Sequence, residues 1–357
     1  MCSSDLEDIQ LAIKVAINGF GRIGRNVLRI LEKQESEDFE LVLINHSTDY
    51  KLLAHLIQYD SLFGRFDGTV EIAEDGLIIN GKKVYITGER NLDNVPWDQY
   101  DIDIVIESTG KFRDRESAQK HLAKGVKKVI ITAPGKDEDI TIVMGVNDNL
   151  YDPETHDIIS NASCTTNCLA PFTKVLNDKF GIVKGLMTTI HSFTNDQRLL
   201  DGTHKDYRRA RATTESIIPT STGAAKAIGI VIPELRGLIN GSSMRVPTSA
   251  VSLVDAVYEL KTNTTVDEIN AALEEAANTY MNGILAFSNE PLVSVDYRKD
   301  SHSSIIDGLS TMMVGQNLVK IISWYDNEWG YSSRVVDLTK LVARELAKST
   351  EEATTFA

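Results

Sequence analysis

Residues 13–31 read IKVAINGFGRIGRNVLRIL. An apolar run of strand length, Ile13 to Asn18, meets Gly19-Phe20-Gly21-Arg22-Ile23-Gly24, and apolar positions then recur at helical spacing through Val27, Leu28 and Leu31. Strand, glycine turn and helix in that order are the context in which G-x-G-x-x-G binds a dinucleotide. Gly19 permits the tight turn, Gly21 lets the main chain approach a pyrophosphate, and Gly24 allows close helix packing. The helix start adds unpaired N–H groups and the positive end of a dipole, both favourable to phosphate. Glycine turns also join strands to helices for structural reasons alone, so the neighbouring strands decide the matter.

A second strand, residues 40–45 (ELVLIN), ends in Asn45-His46-Ser47-Thr48-Asp49. An acid at this end would bond the adenosine ribose of NAD and repel a ribose 2′-phosphate. His46 and Ser47 are neutral and can hydrogen-bond that phosphate, which leans the reading toward NADP; Asp49 leaves it open, as does the plainer view of His46 as a solvated loop residue. Two further β-branched runs, residues 100–107 (YDIDIVIE) and 127–132 (KKVIIT), flank a helical stretch at residues 117–124. Strand and helix in alternation predict an α/β, doubly wound parallel sheet. Ser108-Thr109-Gly110 and Thr132-Ala133-Pro134-Gly135 follow these strands, where such sheets bind ligands and where any turn also needs small residues.

The composition is that of an ordinary globular chain: 357 residues, 42% hydrophobic, net charge −14 and three cysteines. That length suits about two domains. The start MCSSDLEDIQ has acids where a signal peptide needs positive charge, and no apolar run is long enough to cross a membrane, so a cytoplasmic chain is expected. The acidic balance disfavours nucleic acid. Cys2, Cys164 and Cys168 are too few for a disulfide framework, and no Cys/His set completes a metal site.

Cys164 lies in Ser163-Cys164-Thr165-Thr166-Asn167-Cys168, just before a helical pattern. At a helix start the dipole favours thiolate, so a lowered thiol pKa is expected; Cys168 falls one turn deeper and reads as core. A catalytic thiol needs a base. His191 ends the apolar stretch 186–190 (LMTTI) and is the best of seven histidines, although alone it reads equally as an inert strand-end residue. Residues 205–211 (KDYRRAR) form the one dense basic stretch, either a solvated loop or an anion site. With Arg245 and the hydroxyls of Ser221-Thr222-Gly223 it would suit a phosphorylated substrate. A nicotinamide cofactor beside an activated thiol suggests aldehyde oxidation through a thioester.

Seven blocks in order, AINGFGRIGRNVLR, SNASCTTNCLAP, TTIHSFTNDQ, HKDYRRARA, SIIPTSTGAAKA, MRVPT and WYDNEWGYS, make the chain resemble the phosphorylating glyceraldehyde-3-phosphate dehydrogenases from about Ile13 to Ala347. The resemblance implies a homotetramer and an N-terminal tail over residues 1–12. It implies a Rossmann domain over 13–163, a catalytic domain with a mostly antiparallel sheet over 164–329, and a C-terminal segment, 330–357, whose helix at 335–348 returns to the first domain. Cys164 would be the nucleophile and His191 its base. Thr194, Arg209 and Arg245 would hold the substrate phosphate. Ser163, Thr165, Thr222 and Gly223 would hold the inorganic phosphate that releases 1,3-bisphosphoglycerate. Arg22 and Ile23 match the pyrophosphate turn, Arg90 an adenine-side contact, Thr109, Gly110 and Thr132 the nicotinamide-side loops, and Asn327 the carboxamide contact, with Tyr331 packed nearby.

The chain departs from the usual NAD-type members twice. They carry Asp where His46 stands, and Leu-Pro where Gly202-Thr203 stands. In such tetramers the second loop comes from a neighbouring subunit and lies near the same ribose. Both changes resemble members that accept NADP, so dual specificity leaning to NADP and a gluconeogenic or biosynthetic role are expected. The nearest rival is erythrose-4-phosphate dehydrogenase, which shares the Cys and His; it usually lacks the Thr-Gly pair and the Thr-Asn-Asp seen here at Thr194. RNA binding, reported for members of the family, is disfavoured as a main function by the charge.

Overall fold

The computed structural model describes residues 12–34 and 38–355. The tail expected over residues 1–12 lies, Ala12 apart, outside them, as does Cys2. The N-terminal half opens with β1 (Ile13–Asn18), α1 (Arg22–Gln34), β2 (Phe39–Asn45) and α2 (Tyr50–Gln58). A small hairpin, β3 (Tyr59–Asp60) with β4 (Gly64–Arg65), leads to β5 (Val70–Ala73), β6 (Gly76–Ile79) and β7 (Lys82–Thr87). Then come β8 (Ile104–Glu107), α3 (Arg115–Leu122), β9 (Lys128–Ile131), β10 (Ile140–Thr141) and β11 (Ile158–Ser160). Nine of these strands form one sheet in the order β10-β11-β9-β8-β1-β2-β7-β6-β5. From β10 to β7 every pairing is parallel, and only β5 and β6 add antiparallel edges.

This is the doubly wound sheet expected, and the reason is visible residue by residue. Val15 and Ile17 of β1, with Ile104 and Ile106 of β8, enter one apolar layer, while Ala16 and Val105 enter the layer on the opposite face. A sheet covered on both faces needs such continuous apolar runs. The strand expected at residues 100–107 begins only at Ile104, because residues 97–100 form a 3₁₀ turn and Asp101 takes φ 51°.

The second half begins with α4 (Cys164–Phe180) and β12 (Ile182–Ser192), then β13 (Ile218–Thr220), α5 (Ala224–Val231), β14 (Ile239–Val246), β15 (Ser252–Leu260) and α6 (Val266–Asn278). It closes with β16 (Leu285–Ser288), β17 (Ser304–Asp307), β18 (Met312–Val314), β19 (Leu318–Tyr325) and α7 (Trp329–Thr355). The sheet runs β13-β14-β12-β15-β19-β17-β16 with β18 on β19, and is mostly antiparallel. Strict alternation of burial along β15 sends Val254, Ala256, Tyr258 and Leu260 into a core shared with α4, α5 and α6. Helix α7 packs back on α1 through Val335, Val336 and Leu338. It starts earlier than the expected residue 335, because the Asp326 carboxylate accepts from the Glu328 and Trp329 amides and stabilises an earlier first turn.

The glycine turn joins these layers tightly. A Cβ on Gly24 would stand 2.6 Å from the Gly19 carbonyl, whereas one on Gly21 would meet nothing within 4 Å. Gly24→Ala is therefore expected to destabilise by about 1–3 kcal/mol through overpacking, in spite of alanine's better helix propensity. Gly21→Ala should leave stability unchanged. Thermal unfolding of the two variants checks this; equal midpoints would refute the packing account.

Candidate active site

At the carboxyl edge of the parallel sheet lie two adjoining hollows. The first, about 400 Å³, is lined by Asn18, Gly19, Gly21, Asn45, His46, Ser47, Glu89, Arg90, Ser108 and Thr109 among others. The second, about 640 Å³, continues from Arg22, Ile23 and Gly110 to Thr132, Ser163, Cys164, His191, Thr194, Asn327 and Tyr331. The neighbouring pairs Gly21/Arg22 and Thr109/Gly110 divide between them, so the glycine turn is the ridge along which they meet.

Asn18, Asn45, His46 and Ser47 bring neutral polar groups to the strand end of the first hollow, and Glu89 is the acidic residue among its lining. The His46 Nδ1 accepts from the Phe20 amide at 3.2 Å, which leaves Nε2 carrying the ring proton. Burial and nearby Arg25 hold this imidazole below its ordinary pKa. Asp49, the carboxylate that left cofactor choice open, caps α2 through the Leu52 amide and does not line the hollow.

Cys164 is the first residue of α4, capped by the Ser163 hydroxyl, which accepts from the Thr166 amide at 3.0 Å. Its Sγ lies 3.4 Å from His191 Nε2 across the gap between α4 and β12. His191 Nδ1 lies 2.6 Å from the Ser192 carbonyl, which accepts a proton carried on Nδ1, and 3.0 Å from Arg245 Nη1, which can only donate; the shorter contact favours the tautomer with its proton on Nδ1 and Nε2 facing sulfur. Arg245 donates to that same carbonyl at 3.2 Å and to Thr194 Oγ1 at 3.4 Å, and its Nε is buried without a partner.

Burial pushes the Cys164 thiol up, against Arg245 and the Thr165 amide and hydroxyl, which pull it down. Burial and Arg245 together lower His191 to about 3. The lowered thiol expected from the helix start is thus reversed: desolvation of a half-enclosed sulfur outweighs the donors around it. The resting pair is thiol and neutral imidazole. Cys168 is core, with its Sγ 3.4 Å from Ser323 Oγ, and burial raises it to about 12.

Of the basic stretch, Arg209 alone turns inward. It binds Asp196 at 2.5 Å and Thr220 at 3.0 Å; Arg211 pairs with Asp201 on the surface. The Asp196 carboxyl, despite its partial burial, is held low by Arg209 and His204. The Thr165 hydroxyl, expected to face a phosphate, is instead paired with Tyr325 at 2.9 Å in the core. Thr222 and Gly223 stand at the start of α5, outside the residues lining the cleft. The Arg22 guanidinium is held by Asp60 and Glu328, so its side chain links the glycine turn to the start of α7. Asn327 Oδ1 accepts from Ser192 at 2.7 Å and Ser252 at 3.1 Å, and the Tyr331 hydroxyl donates to the Ala162 carbonyl at 2.9 Å. Asp196, Ser192 and Ser252 escaped the sequence reading. Their only signal was adjacency to Thr194 and His191, and for Ser252 there was none.

Residues 13–115 match the family of glyceraldehyde 3-phosphate dehydrogenase NAD binding domains, and residues 163–327 that of the C-terminal domains of the same enzymes. The chain is 59% identical to glyceraldehyde-3-phosphate dehydrogenase of Geobacillus stearothermophilus over 93% of its own length and 99% of that protein's. It is 58% identical to glyceraldehyde-3-phosphate dehydrogenase 1 of Bacillus subtilis (94% and 99% covered) and 54% identical to glyceraldehyde-3-phosphate dehydrogenase 2 of Trichormus variabilis (93% and 99% covered). With a thiol–imidazole pair beside a dinucleotide-type glycine turn, and with relatives matched from end to end, the chain belongs to the glyceraldehyde-3-phosphate dehydrogenase family.

Proposed function

We propose that the chain oxidises D-glyceraldehyde 3-phosphate to 1,3-bisphosphoglycerate, reversibly, by way of a thioester on Cys164. The observation that carries this reading is the 3.4 Å approach of Cys164 Sγ to His191 Nε2 in a cleft that adjoins the glycine-turn hollow. A nicotinamide dinucleotide fits that hollow, since the main chain at Gly21 is unobstructed and Gly19 holds φ 91°. Gly19, Gly21, Ile23 and the first turn of α1 would hold its pyrophosphate. His46, Ser47 and Arg90 would hold the adenosine end, and Thr109, Gly110, Thr132, Asn327 and Tyr331 the nicotinamide. Bound there, the nicotinamide supplies the hydride acceptor.

His191 takes the thiol proton as Cys164 Sγ adds to the aldehyde carbon, and returns it to the carbonyl oxygen. As hydride departs, Nε2 takes the hydroxyl proton and the carbon becomes a thioester. Phosphate then attacks that carbon, the C–S bond breaks, and the proton on His191 is available to the leaving sulfur. Arg245, with its unpaired buried Nε, Thr194 and Arg209 are the groups we assign to the substrate phosphate. Ser163, Thr222 and Gly223 we assign to the attacking phosphate. We read the cofactor as NADP in preference to NAD, on the neutral Nε2–H of His46. Leu199, Leu200, Tyr207 and Ile217 are 69–88% exposed around the Gly202-Thr203 loop, which supports a homotetramer covering them. A working thiol suits a reducing cytoplasm.

Iodoacetamide should alkylate Cys164 faster as pH rises from about 6 to 9, because burial holds the thiol up, and His191→Asn should cut turnover by about 10²–10⁴-fold. A pH-independent alkylation rate would refute the neutral resting pair. Stability has a matching dependence: the unfolded chain protonates His191 below its ordinary 6.5, the folded chain only near 3. Folded stability is therefore full above 6.5 and falls as pH drops toward 3, and His191→Asn should flatten that slope in denaturant titrations. Initial rates with glyceraldehyde 3-phosphate, with and without phosphate, should show phosphate-dependent reduction with higher kcat/KM for NADP. His46→Asp should move the preference toward NAD by about tenfold or more, since it places a carboxylate against a 2′-phosphate. Higher kcat/KM with NAD in the unaltered enzyme would discard the cofactor reading alone.

A further inference from the structure

Beneath the first hollow runs a buried chain of polar side chains that the proposed chemistry does not use. Asn45, Asn18 and Glu107 stand abreast at the carboxyl ends of β2, β1 and β8, since Asn18 is in register with both of the others. All three are buried, as are His121 of α3 and Trp97. The Trp97 indole N–H donates to His121 Nδ1 at 3.0 Å. His121 Nε2 lies 3.3 Å from Glu107 Oε2, the same oxygen that accepts from Asn18 Nδ2. Asn45 Nδ2 in turn donates to Asn18 Oδ1 at 2.7 Å. The other oxygen, Glu107 Oε1, accepts from the Thr109 amide at 2.8 Å and from the Thr109 hydroxyl.

The direction of every bond in this chain is fixed from its two ends. An indole nitrogen can only donate, so His121 Nδ1 must accept and Nε2 must carry the proton that faces Glu107. At the far end the Glu89 main chain holds Asn45 from both sides: its amide donates to Oδ1 at 2.9 Å and its carbonyl accepts from Nδ2 at 2.9 Å. Asn45 therefore cannot flip, and neither can Asn18. Four donors converge on the side chain at 107, so only a group that accepts at both oxygens satisfies them. That group also sets the hollow's walls, because Asn18, Asn45, Glu89 and Thr109 all line it, and the Glu89–Arg90 and Thr109–Gly110 loops are tied to the chain's two sides.

We propose that Glu107 is a positioning residue for the dinucleotide site: its carboxylate, oriented through His121 by Trp97, holds the Thr109 and Glu89–Arg90 loops in the geometry that binds the cofactor. The inference rests on the dinucleotide reading of that hollow. Glu107 does not line the hollow and acts through Thr109 and Asn18.

The test uses the full-length enzyme and follows cofactor KM against kcat, direct binding of NAD and NADP by protein fluorescence, and the thermal midpoint. Glu107→Gln puts an amide NH₂ against Asn18 and His121, or against Thr109, and a donor facing a donor in a buried site is costly. KM and Kd for the dinucleotide should rise about tenfold or more, with kcat at saturation within about twofold. Adding Trp97→Phe frees His121 to exchange its ring proton and accept from the new amide, so the double variant should regain part of the lost affinity, although Trp97→Phe alone lowers affinity and costs core packing. A merely structural role predicts the opposite, losses that accumulate and follow the thermal midpoint. Unchanged KM in Glu107→Gln, a fall confined to kcat, or further loss in the double variant would overturn the proposal. Should Glu107→Gln fail to fold, Trp97→Phe alone decides, with a KM for the cofactor raised a few-fold at unchanged kcat expected and an unchanged KM refuting it. Failure of the underlying reading is distinct, since the unaltered enzyme would then bind neither dinucleotide.

Discussion

Everything at the site hangs on where α4 begins. Its first residue is Cys164, and the sulfur must lie at once at the carboxyl edge of the parallel sheet and within reach of a strand of the antiparallel one. Several independent groups fix that point. Ser163 caps the helix, and Asn167 Nδ2 donates back to the Asn161 and Ser163 carbonyls at 2.8 and 3.0 Å. Ala162 is held at φ 54°, a conformation that costs a residue with a side chain, and Tyr331 of α7 clamps its carbonyl. A thiol restrained from four sides needs little reorganisation to meet His191.

Charge at the site obeys local rules instead of the global balance. The chain carries −14, yet two arginines stand behind the lining of the second hollow, Arg245 on Thr194 and Arg209 on Asp196. Screening limits the reach of surface acids to about 8–10 Å at physiological salt, whereas half-buried pairs within a cleft are screened far less. Asp196 occupies Arg209, so Arg245, whose Nε has no partner, is the one of the two with bonding capacity to spare. The same desolvation that leaves Arg245 hungry for an acceptor keeps His191 neutral, which is the form able to take a proton from sulfur.

Features written in a few consecutive residues were legible before any coordinates. The glycine turn, the helix start at Cys164, the core character of Cys168 and the neutral strand end at His46 all follow from short-range pattern. The pairing of Cys164 with His191 followed from chemical need, since a thiol requires a base and one histidine ends an apolar strand. What pattern cannot carry is orientation. Of the cations in KDYRRAR only Arg209 points inward, and nothing in that run distinguishes it from Arg208 or Arg211. Thr165 sits beside Cys164 in sequence, yet helix geometry turns its hydroxyl into the core against Tyr325. Glu107 read as the last residue of an apolar strand, because its partners Asn18 and His121, and Trp97 behind His121, come from three separate segments. The rise of the Cys164 pKa is likewise a tertiary effect: sequence shows the helix dipole and hides the burial.

The stretch from Asp326 to Tyr331 explains why the two halves make one site. Asp326 caps the start of α7, Asn327 is bound by Ser192 and Ser252 beside His191, Glu328 grips Arg22 at the glycine turn, and Tyr331 holds the loop before Cys164. Arg22 and Glu328 are 306 residues apart in sequence and 2.9 Å apart in the fold. Contacts of such separation carry a large closure entropy and reward the chain only after its local layers exist. The first hollow is walled by residues of the N-terminal half alone, whereas the second takes Asn327, Glu328 and Tyr331 from the start of α7, and the ridge between them is locked where the end of the chain returns to its beginning. The docking of α7 thus completes the wall beside Cys164 and fastens the glycine turn through Arg22.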